Sequence, residues 1–386
     1  MKRKICVITG SRADYGILKP LIEEIQEDKY LSLQLVVTGM HLLKEFGLTY
    51  REIDNDGFLI NAKVRGLLNS DQAKDIVKSM GKLMGGFADT FQGLSPDIVV
   101  GLGDRFELMS AVVAAHVMCI PVAHIGGGDK TFGVIDDAFR HSMTKMSQWH
   151  FVSNEEAQCR VIQLGEDPKR VFNVGEIALD NIGRRQLLSK FQLEKELNIK
   201  FNKHNLLITF HPVTLERDTS GKYFEELLKA LKELKNTHMI FTRANADAYG
   251  RIINRKIDAF AKKSKGKVYA FNSLGSLRYL SLIKEVDAVV GNSSSGMVEA
   301  PYFKKGTINI GDRQKGRPRI ASILDCEPKK LDILKAVRML YSQPFQKKLK
   351  TLKLPYGVGR SAHKIKEKLK TVQLNNTLKK GFFDKC

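Results

Sequence analysis

Short apolar runs rich in β-branched residues alternate with stretches of helical periodicity along most of the chain, and nearly every run ends in a polar loop that contains glycine. That alternation leaves few folds open, because strands separated by helices build parallel sheets with crossover helices. In the first half, strands are expected at 4–9, 33–37, 97–100, 121–124, 149–153 and 171–174. Helices are expected at 17–27, 73–91, 107–118, 136–145 and from a cap at Asn154 to Leu164. A less regular piece, 42–69, contains D-N-D-G turn chemistry. The second half repeats the alternation with strands at 206–210, 238–242, 268–271, 288–290 and 307–310, and helices at 223–234 and 277–285. With 386 residues the chain also exceeds one typical core. The expected fold class is therefore α/β, with Rossmann-like domains at 1–175 and 176–358. A closing helix near 360–370 and a basic tail follow within 359–386.

Composition narrows the class further. Hydrophobic residues at 43% and charged residues at 27% are those of a globular protein. The longest apolar run, 111–125, is interrupted by His116 and Pro121 and is too short to span a bilayer. The basic start M-K-R-K precedes only a short apolar run, which is the length of a first strand and not of a secretory leader. Five cysteines, at 6, 119, 159, 326 and 386, show no C-x-x-C spacing, which suits a reducing cytoplasm. No His/Cys group has zinc-ligand spacing, and no metal or other cofactor is expected. The net charge of +21 is concentrated at the end: residues 343–386 hold eleven Lys and one Arg against Glu367 and Asp384. Lysines recurring through S-A-H-K-I-K-E-K-L-K with few aromatics read as a solvated helix face rather than a nucleic-acid groove.

The polar loops carry the chemistry, since open parallel sheets bind ligands off the carboxyl ends of their strands. Loops of this kind occur in both halves, which points to a cleft between two facing sheets. None has the G-x-G-x-x-G of a dinucleotide site after the first strand, or the G-x-x-x-x-G-K-[ST] of a P-loop. The most polar is V-V-G-N-S-S-S-G-M-V-E-A-P at 289–301. Gly291 and Gly296 bound Asn292, Ser293, Ser294 and Ser295 ahead of a helix expected from about Met297, an arrangement suited to a phosphate or diphosphate. Capping a helix needs one such side chain, not three. Glu299, a turn further on, is placed to accept from a hydroxylated group such as a ribose.

Asp104, directly after a strand, reads equally as a helix-dipole carboxylate or as a catalytic group. Asp136 and Asp137 open a helix; one suffices for capping, and adjacent carboxylates can hold separate acid and base roles. Arg140 falls one turn later, on the face of Asp136 or Asp137. His211, between a strand end and Pro212, sits on a loop edge that favours a functional role. Arg313 and Arg317, flanked by glycines, suit phosphate or sugar recognition, with a solvated turn as the alternative for Arg317.

Taken together, G-S-R-A-D-Y-G (10–16), V-T-G-M-H (37–41), G-D-R (103–105), I-D-D-A-F-R-H (135–141), F-H-P-V-T (210–214), G-N-S-S-S-G (291–296) and G-D-R-Q-K-G-R (311–317) resemble the UDP-N-acetylglucosamine 2-epimerase family. The likeness is to its hydrolysing branch, used in sialic acid synthesis, and it runs over nearly the whole chain. The non-hydrolysing branch typically has G-T-R-P-E in the first loop, where this chain has G-S-R-A-D. The resemblance implies a GT-B-like pair of Rossmann domains with the nucleotide sugar between them and the last helix packed on the first. It implies Ser293 and Ser294 on the diphosphate, Glu299 on the ribose, and Arg12 and Arg313 adding positive charge. Arg105, Asn245, Asn292 and Arg317 complete the expected binding set. Asp104, Asp136, Asp137, Arg140 and His211 would line the reacting sugar. UDP would leave with loss of the carbon-2 proton, giving 2-acetamidoglucal, and water addition would give N-acetylmannosamine.

One loop departs from the pattern: the family's H-I-x-G-G-E reads H-I-G-G-G-D here, with Gly126 at x and Asp129 at the end. Asp129 therefore joins the catalytic candidates, one methylene shorter than usual. Relatives acting on a UDP-linked 2,4-diacetamido-trideoxyglucose, on the route to legionaminic acid, share most of these motifs. That sugar, a GT-B glycosyltransferase and a basic nucleic-acid-binding protein are the alternatives. The resulting expectation is a cytoplasmic homodimer or homotetramer with a nucleotide-sugar substrate and no specific nucleic-acid or membrane partner.

Overall fold

The computed structural model describes all residues except 1, 71, 185, 214, 216–218, 245–249, 265, 358 and 385–386. Two units are present. The first comprises Met1–Asp129, Ile135–Gly183 and Tyr356–Cys386, and the second Lys130–Val134 and Arg184–Pro355. The chain thus crosses at Gly183/Arg184 and returns at Tyr356, where the sequence reading divides at 175/176 and 358/359.

The first unit is built on seven parallel strands: β1 (Arg3–Thr9), β2 (Leu31–Thr38), β3 (Ile60–Val64), β4 (Ile98–Leu102), β5 (Val122–Ile125), β6 (Trp149–Val152) and β7 (Val171–Asn173). Their order is β3-β2-β1-β4-β5-β6-β7, so the winding reverses between β1 and β4. Helices cover both faces of the sheet, which is why the central strands are apolar at successive positions: Ile5, Cys6 and Val7 are all fully buried. The second unit has β8 (His204–Thr209), β9 (Thr237–Thr242), β10 (Val268–Phe271), β11 (Ala288–Gly291), β12 (Gly306–Ile310) and β13 (Ile323–Cys326). Their order is β10-β9-β8-β11-β12-β13, again parallel, with the reversal between β8 and β11. The two-sheet α/β class is as expected, and each unit has its own apolar core.

Several local expectations are corrected. The first helix starts at Arg12 and not at Ile17, because Ser11 caps it by accepting from the N–H of Asp14 at 3.2 Å. Arg12 and Asp14 therefore stand in a first helical turn. The irregular 42–69 segment contains helix Tyr50–Asn55 and the edge strand β3, whose alternating burial hides it among charged residues. Helices Gly250–Lys263, Lys330–Leu340 and Gln343–Lys350, and β13, are further elements that the sequence reading leaves unassigned. The helix expected from Met297 is only a 3₁₀ turn, Ser294–Gly296, and one α turn, Glu299–Tyr302. Pro301 lies inside that turn and has no N–H to extend it.

The basic closing helix, Ser361–Thr371, is not a solvated face. Ala362, Ile365 and Leu369 are fully buried in the first unit's core, each of the larger two contributing about 1.5–3 kcal/mol. Lys366 is only 8% exposed. Its ammonium lies 3.8 Å from Glu24, 3.5 Å from Asp28 and 2.5 Å from Glu367, and Lys370 reaches Asp28 at 3.0 Å. Asp180 accepts from the N–H groups of Ser361 and Ala362, capping the helix from outside.

Candidate active site

In the first unit, polar side chains gather at the carboxyl ends of β1, β4 and β5, beside the winding reversal where such sheets bind ligands. Gly103 follows β4 with φ +85°, a backbone state that favours glycine, and delivers Asp104 and Arg105 at the start of helix Phe106–Val117. Asp136, Asp137 and Arg140 come from the first turns of helix Ile135–Met146.

Arg140 is the hub of this group and only 3% exposed. Its guanidinium donates to the Asp104 carboxylate, to Oδ1 of Asp137 at 3.2 Å and to the backbone carbonyl of Asp129 at 2.9 Å. The i,i+3 choice between Asp136 and Asp137 thus falls on Asp137, whose other oxygen lies 3.6 Å from His141. Asp129 is held separately, Oδ1 accepting from the Ser153 hydroxyl at 3.2 Å. Its glycine-rich loop is pinned: Arg160 donates to the carbonyl of Gly128, and Arg140 to that of Asp129. A Cβ on Gly128 would lie 2.3 Å from the carbonyl oxygen of Ala157.

Arg105 is paired within the first unit. Its Nε and one terminal nitrogen each donate to Glu107 at 3.2 Å. Glu107 is 1% exposed and is a site residue that sequence reading missed, since an acid in a helix's first turn reads as a dipole partner. Asp14 is missed for another reason: the helix is expected only from residue 17, which leaves Asp14 in the loop before it. Burial pushes its carboxyl up to about 6, with Glu107 and Asp104 adding to the rise and Arg105 and Ser11 opposing it. Arg12 is paired with Glu52 at 2.7 Å. Two buried histidines are held neutral by burial, with values lowered to about 4. His41 lies between Thr9 and Thr49, and His124 against the carbonyl of Gly103.

In the second unit the serine turn follows β11. Gly291 is obligatory, because a Cβ there would lie 1.9 Å from the carbonyl oxygen of Thr209. Asn292 is not the cap of the turn. Its amide accepts from the N–H of His211 at 2.7 Å and donates to the carbonyl of His211 at 2.8 Å, tying the β8 loop to the β11 loop. Arg313 and Gln314 both donate to the carbonyl of Asn292, at 3.1 and 2.8 Å. The cap is Ser293, which accepts from Ser295 N–H. Ser294 is exposed and Ser293 half-buried, so both hydroxyls have access to solvent.

Burial raises the carboxyl of Glu299, while Arg317 and Ser295 favour its charged form. Arg317 is half-buried. Lys130–Val134 packs in this same unit: Phe132 N–H donates to the carbonyl of Arg313 at 3.0 Å, and Leu215 N–H to that of Gly133 at 3.0 Å. Asn245 lies outside the described residues. Among the described residues no group of His, Cys, Asp and Glu is arranged to hold a metal ion.

The double α/β architecture with polar strand ends is that of nucleotide-sugar enzymes of known structure. A UDP-GlcNAc 2-epimerase from Neisseria meningitidis, solved with UDP-GlcNAc, matches with a TM-score of 0.80 at 18% identity, over 95% of this chain and 99% of that one, which shows the fold. Residues 23–370 match the family described as UDP-N-acetylglucosamine 2-epimerase. A GDP/UDP-N,N'-diacetylbacillosamine 2-epimerase (hydrolyzing) from Campylobacter jejuni is 47% identical over 99% of both chains. The polysialic acid biosynthesis protein P7 of Escherichia coli is 40% identical over 92% of this chain and 90% of its own. The chain belongs to the UDP-N-acetylglucosamine 2-epimerase family and is an enzyme of that family.

Proposed function

We propose that the protein is a hydrolysing 2-epimerase, converting a nucleoside-diphosphate-linked 2-acetamido sugar and water to the free 2-epimeric sugar and the nucleoside diphosphate. The observation that carries this reading is Arg140 holding Asp104, just after β4, together with Asp137, in the first turn of helix Ile135–Met146. Carboxylates fixed by one buried cation are equipment for moving protons, and the serine turn is equipment for holding an anionic leaving group. A base takes the proton from carbon 2, and the bond from carbon 1 to the diphosphate oxygen breaks with its electron pair on the diphosphate. The ring is left as the 2-acetamidoglucal. Water then adds through its oxygen to carbon 1, and a proton returns to carbon 2 on the other face. Asp104 and Asp129 are assigned to these proton transfers. Ser293, Ser294 and Arg313 are assigned to the diphosphate, and Glu299 to the ribose.

For the sugar, the 47% likeness over 99% of both chains favours a 2,4-diacetamido-trideoxyglucose as in the Campylobacter relative. N-acetylglucosamine, giving N-acetylmannosamine, is the second reading, favoured by the polysialic acid relative at 40%. The test is incubation in deuterium oxide with the UDP- and GDP-linked diacetamido sugar and with UDP-N-acetylglucosamine. Free sugar carrying one solvent deuteron at carbon 2 is the expected product, formed faster from the diacetamido substrate. Release of sugar without deuterium at carbon 2 would refute elimination, and no release from any of the three would refute the activity.

A further inference from the structure

His124, the last residue but one of β5, is fully buried, and no role assigned above uses its ring. Both ring nitrogens are engaged. Nε2 lies 2.7 Å from the carbonyl oxygen of Gly103, and Nδ1 lies 3.3 Å from Oγ1 of Thr144. A carbonyl only accepts, so Nε2 carries the proton and donates to Gly103. Burial keeps the ring neutral, which leaves Nδ1 as an acceptor facing the Thr144 hydroxyl. That hydroxyl also lies 3.0 Å from the carbonyl oxygen of Arg140 and shares its one proton between the two.

These contacts reach both members of one ion pair through their backbones. The Gly103 carbonyl belongs to the peptide that joins Gly103 to Asp104, and the N–H of Gly103 donates to the carbonyl of Ile125 at 2.9 Å. Gly103 is thus tied at both ends to successive residues of β5. Thr144 stands one turn after Arg140 on helix Ile135–Met146, and Arg140 donates to the Asp104 carboxylate. One ring therefore sets the spacing between the turn that carries Asp104 and the helix that carries Arg140. It is packed without slack: a Cβ on Gly127 would lie 3.0 Å from Oγ1 of Thr144 and 3.2 Å from Nδ1 of His124. An apolar side chain of similar size would fill the space, but the Gly103 carbonyl would lose this donor and the peptide before Asp104 its anchor.

We propose that His124 is a positioning residue for proton transfer, which by donating to the Gly103 carbonyl sets the backbone from which Asp104 meets Arg140. This rests on the assignment of Asp104 to a proton transfer. His124 touches no substrate atom in this scheme. Its effect therefore falls on kcat and passes through Asp104.

The test compares His124→Gln, whose amide keeps a donor near the position of Nε2, with His124→Leu, which fills the space and donates nothing. Each is made alone and combined with Asp104→Asn, and turnover of the sugar nucleotide that the wild type converts fastest is referred to the folded fraction found by urea unfolding. His124→Leu should lower kcat by about 10²-fold, the scale of an ångström-sized misplacement of a reacting group, with KM changed less than about threefold. His124→Gln should recover about tenfold or more of that loss. In the Asp104→Asn background His124→Leu should cost less than about threefold further, because residues that act as a unit are not additive. Should His124→Leu not fold, His124→Asn, whose amide reaches only to the level of Nδ1, takes its place in the same comparison. If Asp104→Asn turns over like the wild type, the assignment of Asp104 fails, whatever His124 does. If Asp104→Asn is impaired and His124→Leu lowers kcat by the same factor in both backgrounds, the role of His124 is refuted. A folded His124→Gln no better than His124→Leu also refutes it, as does a loss that appears only in KM.

Discussion

Among the groups that fasten the end of the chain, beyond the closing helix, to the rest of the first unit is the Glu166 carboxylate, and replacing Glu166 by Gln tests how much depends on it. Glu166 is 1% exposed and receives three donors: Lys145 at 2.7 Å, His150 at 2.9 Å and Lys380 at 2.6 Å. Burial pushes this carboxyl up, but the three hydrogen bonds outweigh it and bring the value to about 2. The gap from the ordinary 4.5 is worth about 3 kcal/mol of folded-state stability at neutral pH. The sign follows from the depressed value: the stabilisation is complete above about pH 4.5 and is lost as pH falls towards 2. Glu166→Gln keeps the shape and removes the charge, so urea unfolding at pH 7 should show a loss of about 3 kcal/mol. The gap between variant and wild type should shrink to under half of that by about pH 3. Lys380 also donates to the carbonyl of Ser147, and Phe383 N–H to that of Gly165, so the freed tail should exchange its amide hydrogens faster in the variant. A gap below about 1 kcal/mol at pH 7, or one that stays constant down to pH 3, would refute the reasoning.

Four further outcomes are expected. Replacing Ser293 and Ser294 together by Ala should weaken UDP binding by about 1–3 kcal/mol in calorimetry, with unfolding little changed, because Asn292 and Gly291 fix the turn independently. Lys366→Glu should cost roughly 3–5 kcal/mol of stability by denaturant titration, because it places a third carboxylate beside Glu24 and Asp28, while any folded fraction keeps its kcat. Asp→Asn at Asp104 or at Asp129 should lower turnover by about 10²–10⁴-fold, and accumulation of 2-acetamidoglucal would identify the variant impaired in hydration only. Since Asp14 titrates at about 6, kcat/KM should decline below that pH in the wild type, and Asp14→Asn should remove that limb from the pH profile.

What could be read from the sequence follows from how locally each feature is determined. Parallel strands buried on both faces leave continuous apolar runs, and the loops after them must turn with glycine, so β1, β4, β8 and β11 and their polar ends were legible. The family likeness rests on those same loops. Two of the four edge strands were not legible: β3 alternates half-buried and exposed residues, and β13 carries an acid in its middle. Side-chain tasks inside the site were harder still, because the decisive partner is remote in sequence. Arg140 meets Asp104 across 36 residues, and Asn292 meets His211 across 81.

The basic tail shows the same limit from the other side. A lysine every second residue in a helix has the pattern of a solvated face, yet Lys366 is buried because Glu24, on the first helix, and Asp28, at its C-cap, come to meet it. Charge patterning reports the preference of a side chain for water; it says nothing of a carboxylate several hundred residues away that can take the place of water.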